Sequence, residues 1–202
     1  MLKEKTKEKQ VLDLARKVRI LRVKDLADKG IHPEHLRRLH QKGQLVRIGR
    51  GVYMLPNASI SGNFSLAEVA KKAPRGIICL LSALRFHDLG TQSPSEVWIA
   101  VDRKAARPQV STPRIRVMRF SDLAFSSGVE THKIDGVSVR VYCPAKTVVD
   151  CFKYRNKIGL DVAIEALREC RRSRKCTADD LWKYAKICRV ANVMRPYLEA
   201  IA

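Results

Sequence analysis

The stretch LRRLHQKGQLVRIGRGVYML, residues 36–55, decides the fold of the first part of this 202-residue chain. Its first half places leucines at positions 36 and 39, a helical spacing, and ends at Gly43, a residue suited to the end of a helix. Its second half has two β-prone runs, LVRI and VYML, joined by Gly49-Arg50-Gly51. The stretch therefore predicts a helix followed by a tight β-hairpin.

Two further helices are predicted before this stretch. The segment VLDLARKV, residues 11–18, has apolar residues on one helical face, and RVKDLADKG, residues 22–30, stops at Gly30. Pro33 then stands near the first position of the third helix, where proline is well tolerated. The order helix, helix, helix, hairpin predicts a winged helix-turn-helix.

The winged helix-turn-helix predicts where DNA would bind. If the leucines of the third helix face the core, the polar side chains of that helix lie on the solvent side, where a DNA major groove would sit. Arginines on the hairpin would reach phosphates or a minor groove. A solvated charged face without DNA is the alternative interpretation. The predicted DNA contacts are His35, Arg37, Arg38, Gln41 and Lys42 on the helix and Arg47 and Arg50 on the hairpin.

The composition favours a globular protein with a polyanionic partner. Hydrophobic residues make up 46% of the chain and charged residues 30%, and the net charge at pH 7 is +20. Residues 1–60 are the most basic part, with 15 Lys and Arg against 6 Asp and Glu. We find neither an apolar run long enough to cross a bilayer nor a secretion signal, so we expect a cytoplasmic protein without membrane contact. The six cysteines are expected to be reduced and mostly to fill the core.

The second part of the chain is predicted to be α+β. The segment PNASISGNFS, residues 56–65, has the composition of a linker, so the predicted domains are residues 1–58 and 59–202. Strand-like runs follow at residues 96–102, 114–120 and 137–143, and we expect them to form a small antiparallel sheet with one wet face. From residue 144 onward the pattern is helical.

Three stretches together resemble the AbiEi family of bacterial antitoxins: the opening segment 36–55, the central LLSALRFHDLG followed by SPSEVWIAV, and PAKTVVDCFKYRNKIGLDVAIEAL. The resemblance covers roughly residues 10–170. It implies an antitoxin that represses its own operon by binding double-stranded promoter DNA and neutralises a nucleotidyltransferase-like toxin, in phage defence by abortive infection. It also implies a monomer in solution. Whether the toxin is bound directly, modified or deprived of its substrate stays open, as do the toxin-binding residues.

Catalytic chemistry finds little support in the sequence. Ser82, His87 and Asp88 are the residue types of a hydrolytic triad, but no nucleophile elbow surrounds the serine, which we expect to cap the helix SALRFHDLG. Lys146 and Asp150 are four apart, which predicts an exposed or partly buried ion pair on a helix, with a role in toxin binding as the alternative. Phosphate-binding loops are absent from the sequence, so we expect neither an enzyme nor a bound cofactor.

Metal binding and thiol chemistry are also weakly supported. His32, His35 and His40 cluster, but their spacing matches no zinc signature, and no metal is expected. Cys170 and Cys176 flank the basic run 171–175, which could lower a thiol pKa or contact a partner. Inert thiols are the simpler interpretation.

Two other functions stay open at this stage. The chain could be a winged-helix regulator with an effector-binding or dimerisation domain and no toxin partner. A nuclease would need clustered carboxylates for its metal, whereas Asp122, Glu130, Asp135 and Asp150 are scattered along the chain.

Overall fold

The computed structural model describes residues 6–18, 20–57 and 62–200. The chain divides into two compact units. The first comprises residues up to Glu68 together with Lys133–Ser138, and the second comprises Val69–His132 and Val139–Ala202. The domain boundary predicted at residues 58 and 59 lies outside the described residues.

The first unit opens with three helices and three short strands. The elements are α1 (Lys7–Val18), β1 (Leu21–Arg22), α2 (Val23–Ala27), α3 (Glu34–Gln41), β2 (Val46–Gly49) and β3 (Val52–Met54). The strands form an antiparallel sheet in the order β1-β3-β2. The three helices and the hairpin are those predicted from the sequence, whereas the two-residue β1 is not.

Glycines end the helices and turn the hairpin as predicted. Gly30, Gly43 and Gly51 have φ values of 61°, 69° and 69°, a region that is costly for residues with a Cβ atom. The chain reverses after α2 and again after α3, each time with the same pattern of two backbone hydrogen bonds. After α3, for example, the N–H of Gln44 donates to the carbonyl of Leu39 at 2.9 Å. The helices then pack on a common core, which contains Val11, Ala15, Leu21, Leu26, Ile31, Leu36, Leu39, Leu45 and Tyr53.

The second unit combines a central sheet with helices. Helix α4 (Phe64–Lys72) contains residues of both units. The elements that follow are β4 (Ile77–Ile78), α5 (Leu80–Phe86), β5 (Val97–Asp102), β6 (Ile115–Phe120), α6 (Asp122–Ser126), β7 (Val129–Ile134), β8 (Val137–Tyr142), α7 (Pro144–Lys153), α8 (Arg155–Ile158), α9 (Leu160–Arg172), α10 (Ala178–Ile187) and α11 (Ala191–Glu199). The α+β class is therefore confirmed.

The prediction of an antiparallel sheet is wrong. The five strands lie in the order β6-β5-β4-β8-β7, with β5 parallel to β6, β4 parallel to β8, and β4 antiparallel to β5. Residues Val97–Val101 of β5 are all buried, so this strand has no wet face. A strand covered on both sides has a continuous apolar run, which is typical of parallel neighbours.

Helix α7 lies at the centre of the second unit. Every residue from Ala145 to Phe152 is buried, and α5, α9, α10 and α11 all contact this helix. Five of the six cysteines are buried in the structure, which confirms that they mostly fill the core. Within the described parts of the chain, no helix is both long and apolar enough to cross a membrane.

Candidate nucleic-acid interface

Helix α3 has one buried and one exposed face. Leu36 and Leu39 are fully buried, as expected from their spacing. Arg37, Arg38 and Gln41 are exposed and, at spacings of three and four residues, share the opposite face. The structure therefore brings together three of the five side chains of this helix that were predicted to contact DNA.

Both arginines of this face bind the same carboxylate. Arg37 donates two hydrogen bonds from Nε and one from Nη2 to the carboxylate of Glu34, the shortest at 2.7 Å. Nε of Arg38 lies 3.7 Å from Oε1 of Glu34. The hydrogen bond from Arg37 lowers the pKa of Glu34 below its ordinary value of 4.5, so the carboxylate is charged at neutral pH. The face is therefore partly neutralised in the unbound protein.

The β2–β3 hairpin carries the other two predicted arginines. Arg47 and Arg50 are both exposed. Nε of Arg47 donates to the carbonyl of Gly49 at 3.2 Å, which fixes this side chain along the strand. The register of the two strands shifts between Arg47 and Gly49, a bulge that increases local twist just before the turn.

His35 and Lys42 are placed less favourably for DNA contact than the sequence predicted. His35 is half-buried, and its Nδ1 is buried without a hydrogen-bond partner. Lys42 is exposed, but its Nζ lies 2.8 Å from a carboxylate oxygen of Glu8 in α1. The same bond lowers the pKa of Glu8.

Sequence reasoning missed both carboxylates. The spacing of Glu34 from Arg37 and Arg38, three and four residues on a helix, was a signal for the first ion pair. The second carboxylate lies 34 residues from its lysine, so only the tertiary packing of α1 against α3 brings the two together.

The residue types of a hydrolytic triad do not meet in the second unit. Ser82 lies inside α5 rather than at its start, so the prediction that it caps this helix is wrong; Cys79 is the N-cap residue. The Ser82 hydroxyl accepts a hydrogen bond from the N–H of Trp98 at 2.9 Å, and Nε2 of His87 lies 2.7 Å from the carbonyl of Tyr142. Burial lowers the pKa of His87, which favours the neutral ring. Because a carbonyl oxygen only accepts, its contact with Nε2 is a hydrogen bond when that nitrogen carries the proton.

The ion pair of Lys146 and Asp150 is fully buried, contrary to the prediction of an exposed or partly buried pair. Both side chains are 0% exposed, and Nζ lies 2.6 Å from each carboxylate oxygen. The thiol of Cys188 donates to Oδ1 of Asp150 at 3.5 Å, and Nζ lies 4.2 Å from the ring centre of Tyr142. Burial raises the pKa of Asp150, and Lys146 partly offsets this. The sequence spacing predicted the pair but not its depth.

The clusters considered for metals and reactive thiols show local contacts instead. His40 binds the carbonyl of Leu45 at 3.0 Å through Nδ1, and His32 accepts from the N–H of Glu34. Among the described residues, no group of three or more His, Cys, Asp or Glu could hold a metal ion. Of the two thiols that flank the basic run, both are buried; the hydrogen bond between them lowers the pKa of Cys176, with a smaller contribution from Arg171, and raises the pKa of Cys170.

Comparisons with known proteins agree with the sequence analysis for the first unit. No curated protein matches the chain. The crystal structure of the RV2827C protein from Mycobacterium tuberculosis has a similar fold, with a TM-score of 0.60 over 90% of this chain and 72% of that chain at 16% identity. Residues 9–56 match the family described as "Transcriptional regulator, AbiEi antitoxin". This match confirms the resemblance to the AbiEi antitoxin family over residues 9–56 and supports an antitoxin or transcriptional-regulator role.

Proposed function

We propose that the first unit is a winged helix-turn-helix that binds double-stranded promoter DNA. Helix α3 would enter the major groove, and the β2–β3 hairpin would act as the wing along the phosphate backbone. The observation that carries this proposal is the exposed face of α3. This face presents two arginines and a glutamine, and the hairpin that follows α3 in the chain carries two more exposed arginines.

The proposed contacts divide between base recognition and backbone binding. Arg37, Arg38 and Gln41 have the side chains that recognise purine edges by paired hydrogen bonds. Arg50 lies in the turn between β2 and β3 and would contact phosphate. Lys42 and His35 have lesser roles here, since the first is bound to Glu8 and the second is half-buried.

The experiment is a titration of labelled promoter DNA with the full chain, at several salt concentrations. Arg37→Ala and Arg38→Ala should each weaken binding to the promoter roughly 5- to 150-fold if that arginine contacts a base edge. Arg16→Ala is the matched control, because Arg16 is an exposed arginine of α1 that is paired with Asp13. Unchanged promoter affinity in both α3 variants would exclude α3 as the recognition helix.

The wing is tested separately by Arg50→Ala. A backbone contact predicts weaker binding to every sequence alike, with a salt slope reduced by about one. A change in sequence preference would instead show that the hairpin contacts bases.

We further propose that the protein neutralises a nucleotidyltransferase-like toxin and represses the operon that encodes both. The family match of the first unit supports this role. The proposal assigns no enzymatic step to the chain, and the backbone hydrogen bonds of Ser82 and His87 are consistent with structural roles for both.

Co-expression with the product of the adjacent gene tests the antitoxin role. Growth rescue together with repression of a promoter reporter is expected. Repression without rescue would leave a transcriptional regulator and remove the toxin partner from the proposal.

A further inference from the structure

A cavity of about 670 Å³ lies in the second unit, and its lining residues are different from those of the proposed DNA interface. It opens between the end of α4, the turn that follows it, the loop after β5, α6 and β8. A volume of this size suits a small-molecule ligand. Its lining contains Lys72, Arg75, Asp102, Lys104, Phe125 and Arg140 among its larger side chains.

Two arginines hold the loops that form the walls of the cavity. Nη2 of Arg140 donates to the carbonyls of Pro74 at 3.2 Å and Gly76 at 3.5 Å. Nη1 of Arg119 lies within 3.3 Å of three carbonyls in the segment 102–105, the closest at 2.7 Å. These bonds tie both loops to the sheet, so the cavity is formed before any ligand arrives.

The charge of the lining is strongly positive. Lys72, Arg75, Lys104 and Arg140 line the cavity together with one acidic residue, Asp102, whose carboxylate accepts a hydrogen bond from the N–H of Lys104 at 2.8 Å. Nζ of Lys72 donates to the carbonyl of Thr112. Arg75 and Lys104 are exposed, and within the described part of the chain neither side chain has an ion pair. Nε of Arg140 is buried and has no hydrogen-bond partner. Arg75 and Lys104 are therefore the cations that an anion with several oxygens can reach.

The remaining lining is apolar. It consists of alanine, proline, glycine and valine residues together with Phe125 of α6. A flat aromatic group can stack on an aromatic side chain, and any of the nucleic-acid bases can do so because each has a π-face. A ligand with phosphates at one end and a planar ring at the other would use both parts of the cavity.

We propose that this cavity binds a nucleoside di- or triphosphate. The phosphates would contact Arg75, Lys104 and Arg140, and the base would lie against Phe125. This inference is independent of the proposed DNA binding, because it concerns different residues in a different unit.

Isothermal titration of the full chain with ATP and with GTP tests the proposal. Arg75→Ala/Lys104→Ala removes two exposed cations from the cavity and should weaken nucleotide binding at least tenfold. The matched control is Arg103→Ala/Arg107→Ala, which removes two exposed cations from the loop that carries Lys104, neither of which lines the cavity. Thermal unfolding of both double variants verifies that they fold, and bound nucleotide should raise the melting temperature only where the cavity is intact.

Two further measurements distinguish a nucleotide from other classes of ligand. Adenosine should bind at least tenfold more weakly than ATP, because it lacks phosphates, and Arg37→Ala/Arg38→Ala should bind ATP like the wild type. Any one of three results would overturn it: neither nucleotide binds, the control variant loses as much affinity as the cavity variant, or a single-stranded oligonucleotide binds while mononucleotides do not.

Discussion

The buried pair of Lys146 and Asp150 allows a quantitative test of what holds the second unit together. Asp150→Asn keeps the volume of the side chain but removes its charge, so the ammonium of Lys146 stays buried without a counter-charge. The wild-type pair has two Nζ–oxygen distances of 2.6 Å at 0% exposure, so water cannot replace the lost partner.

The expected loss follows from these distances and this burial. Breaking a fully buried ion pair by removing one partner costs about 3–5 kcal/mol of the free energy of unfolding. For a chain of this size, such a loss lowers the melting temperature by roughly 6–20 °C. The double variant Lys146→Met/Asp150→Leu removes both charges, and we expect it to lie within about 2 kcal/mol of the wild type, because both desolvation penalties disappear with the attraction.

Urea unfolding followed by circular dichroism, on the wild type, Asp150→Asn, the single variants Lys146→Met and Asp150→Leu, and their double variant, measures the coupling. Lys146→Met adds a pH signature. Its unpaired Asp150 should take up a proton in the folded state, so this variant should regain stability relative to wild type as the pH falls. A loss below 1 kcal/mol in Asp150→Asn, or a double variant as unstable as the sum of the singles, would refute the assignment of a charged, coupled pair.

Three further predictions concern single side chains. An alanine methyl at Gly128, where φ is +71°, would lie 2.8 Å from a side-chain carbon of α7, whereas Gly43 has a similar φ but open space around it. Gly128→Ala should therefore lower the free energy of unfolding by about 2 kcal/mol more than Gly43→Ala, which chemical denaturation of the two variants would measure. Burial lowers the pKa of His87, so unfolding by urea should become easier as the pH falls through 6.5, and His87→Gln should flatten this dependence; an unchanged slope would contradict it. Glu34→Gln frees the two arginines that it binds, and we expect promoter DNA to bind roughly two- to fivefold more tightly in a fluorescence titration, whereas weaker binding would mean that the carboxylate positions them for contact.

The fold of the first unit could be predicted almost element by element because its signals are local. The spacing of Leu36 and Leu39 and the glycines at positions 30, 43 and 51 each act within a few residues. Strand β1 was not predictable, since its two residues have no pattern of their own and pair with β3, about 30 residues later.

The sheet of the second unit depends on pairings that the sequence pattern does not encode. The runs that became β5, β6 and β8 were found with boundaries correct to one residue. The pairing of these strands was not predicted, because the two-residue β4 forms part of the apolar run GIICLL and lies between β5 and β8 in the sheet. Alternation of apolar and polar residues gives the faces of a strand, but strand direction is set by long-range packing.

The candidate sites show why net charge alone does not locate an anion-binding surface. The first sixty residues have the largest excess of cations, yet folding brings carboxylates against three of the predicted DNA contacts, namely Arg37, Arg38 and Lys42. Residues 103–119 contain six cations and no Asp or Glu, and this segment supplies part of the cavity lining. The electrostatic potential therefore depends on which acids the fold places beside each cation, and DNA would have to compete with Glu34 for the arginines of α3. In the cavity, Arg75 and Lys104 have no ion pair within the described part of the chain, so an anion there would not have to displace a carboxylate from either side chain.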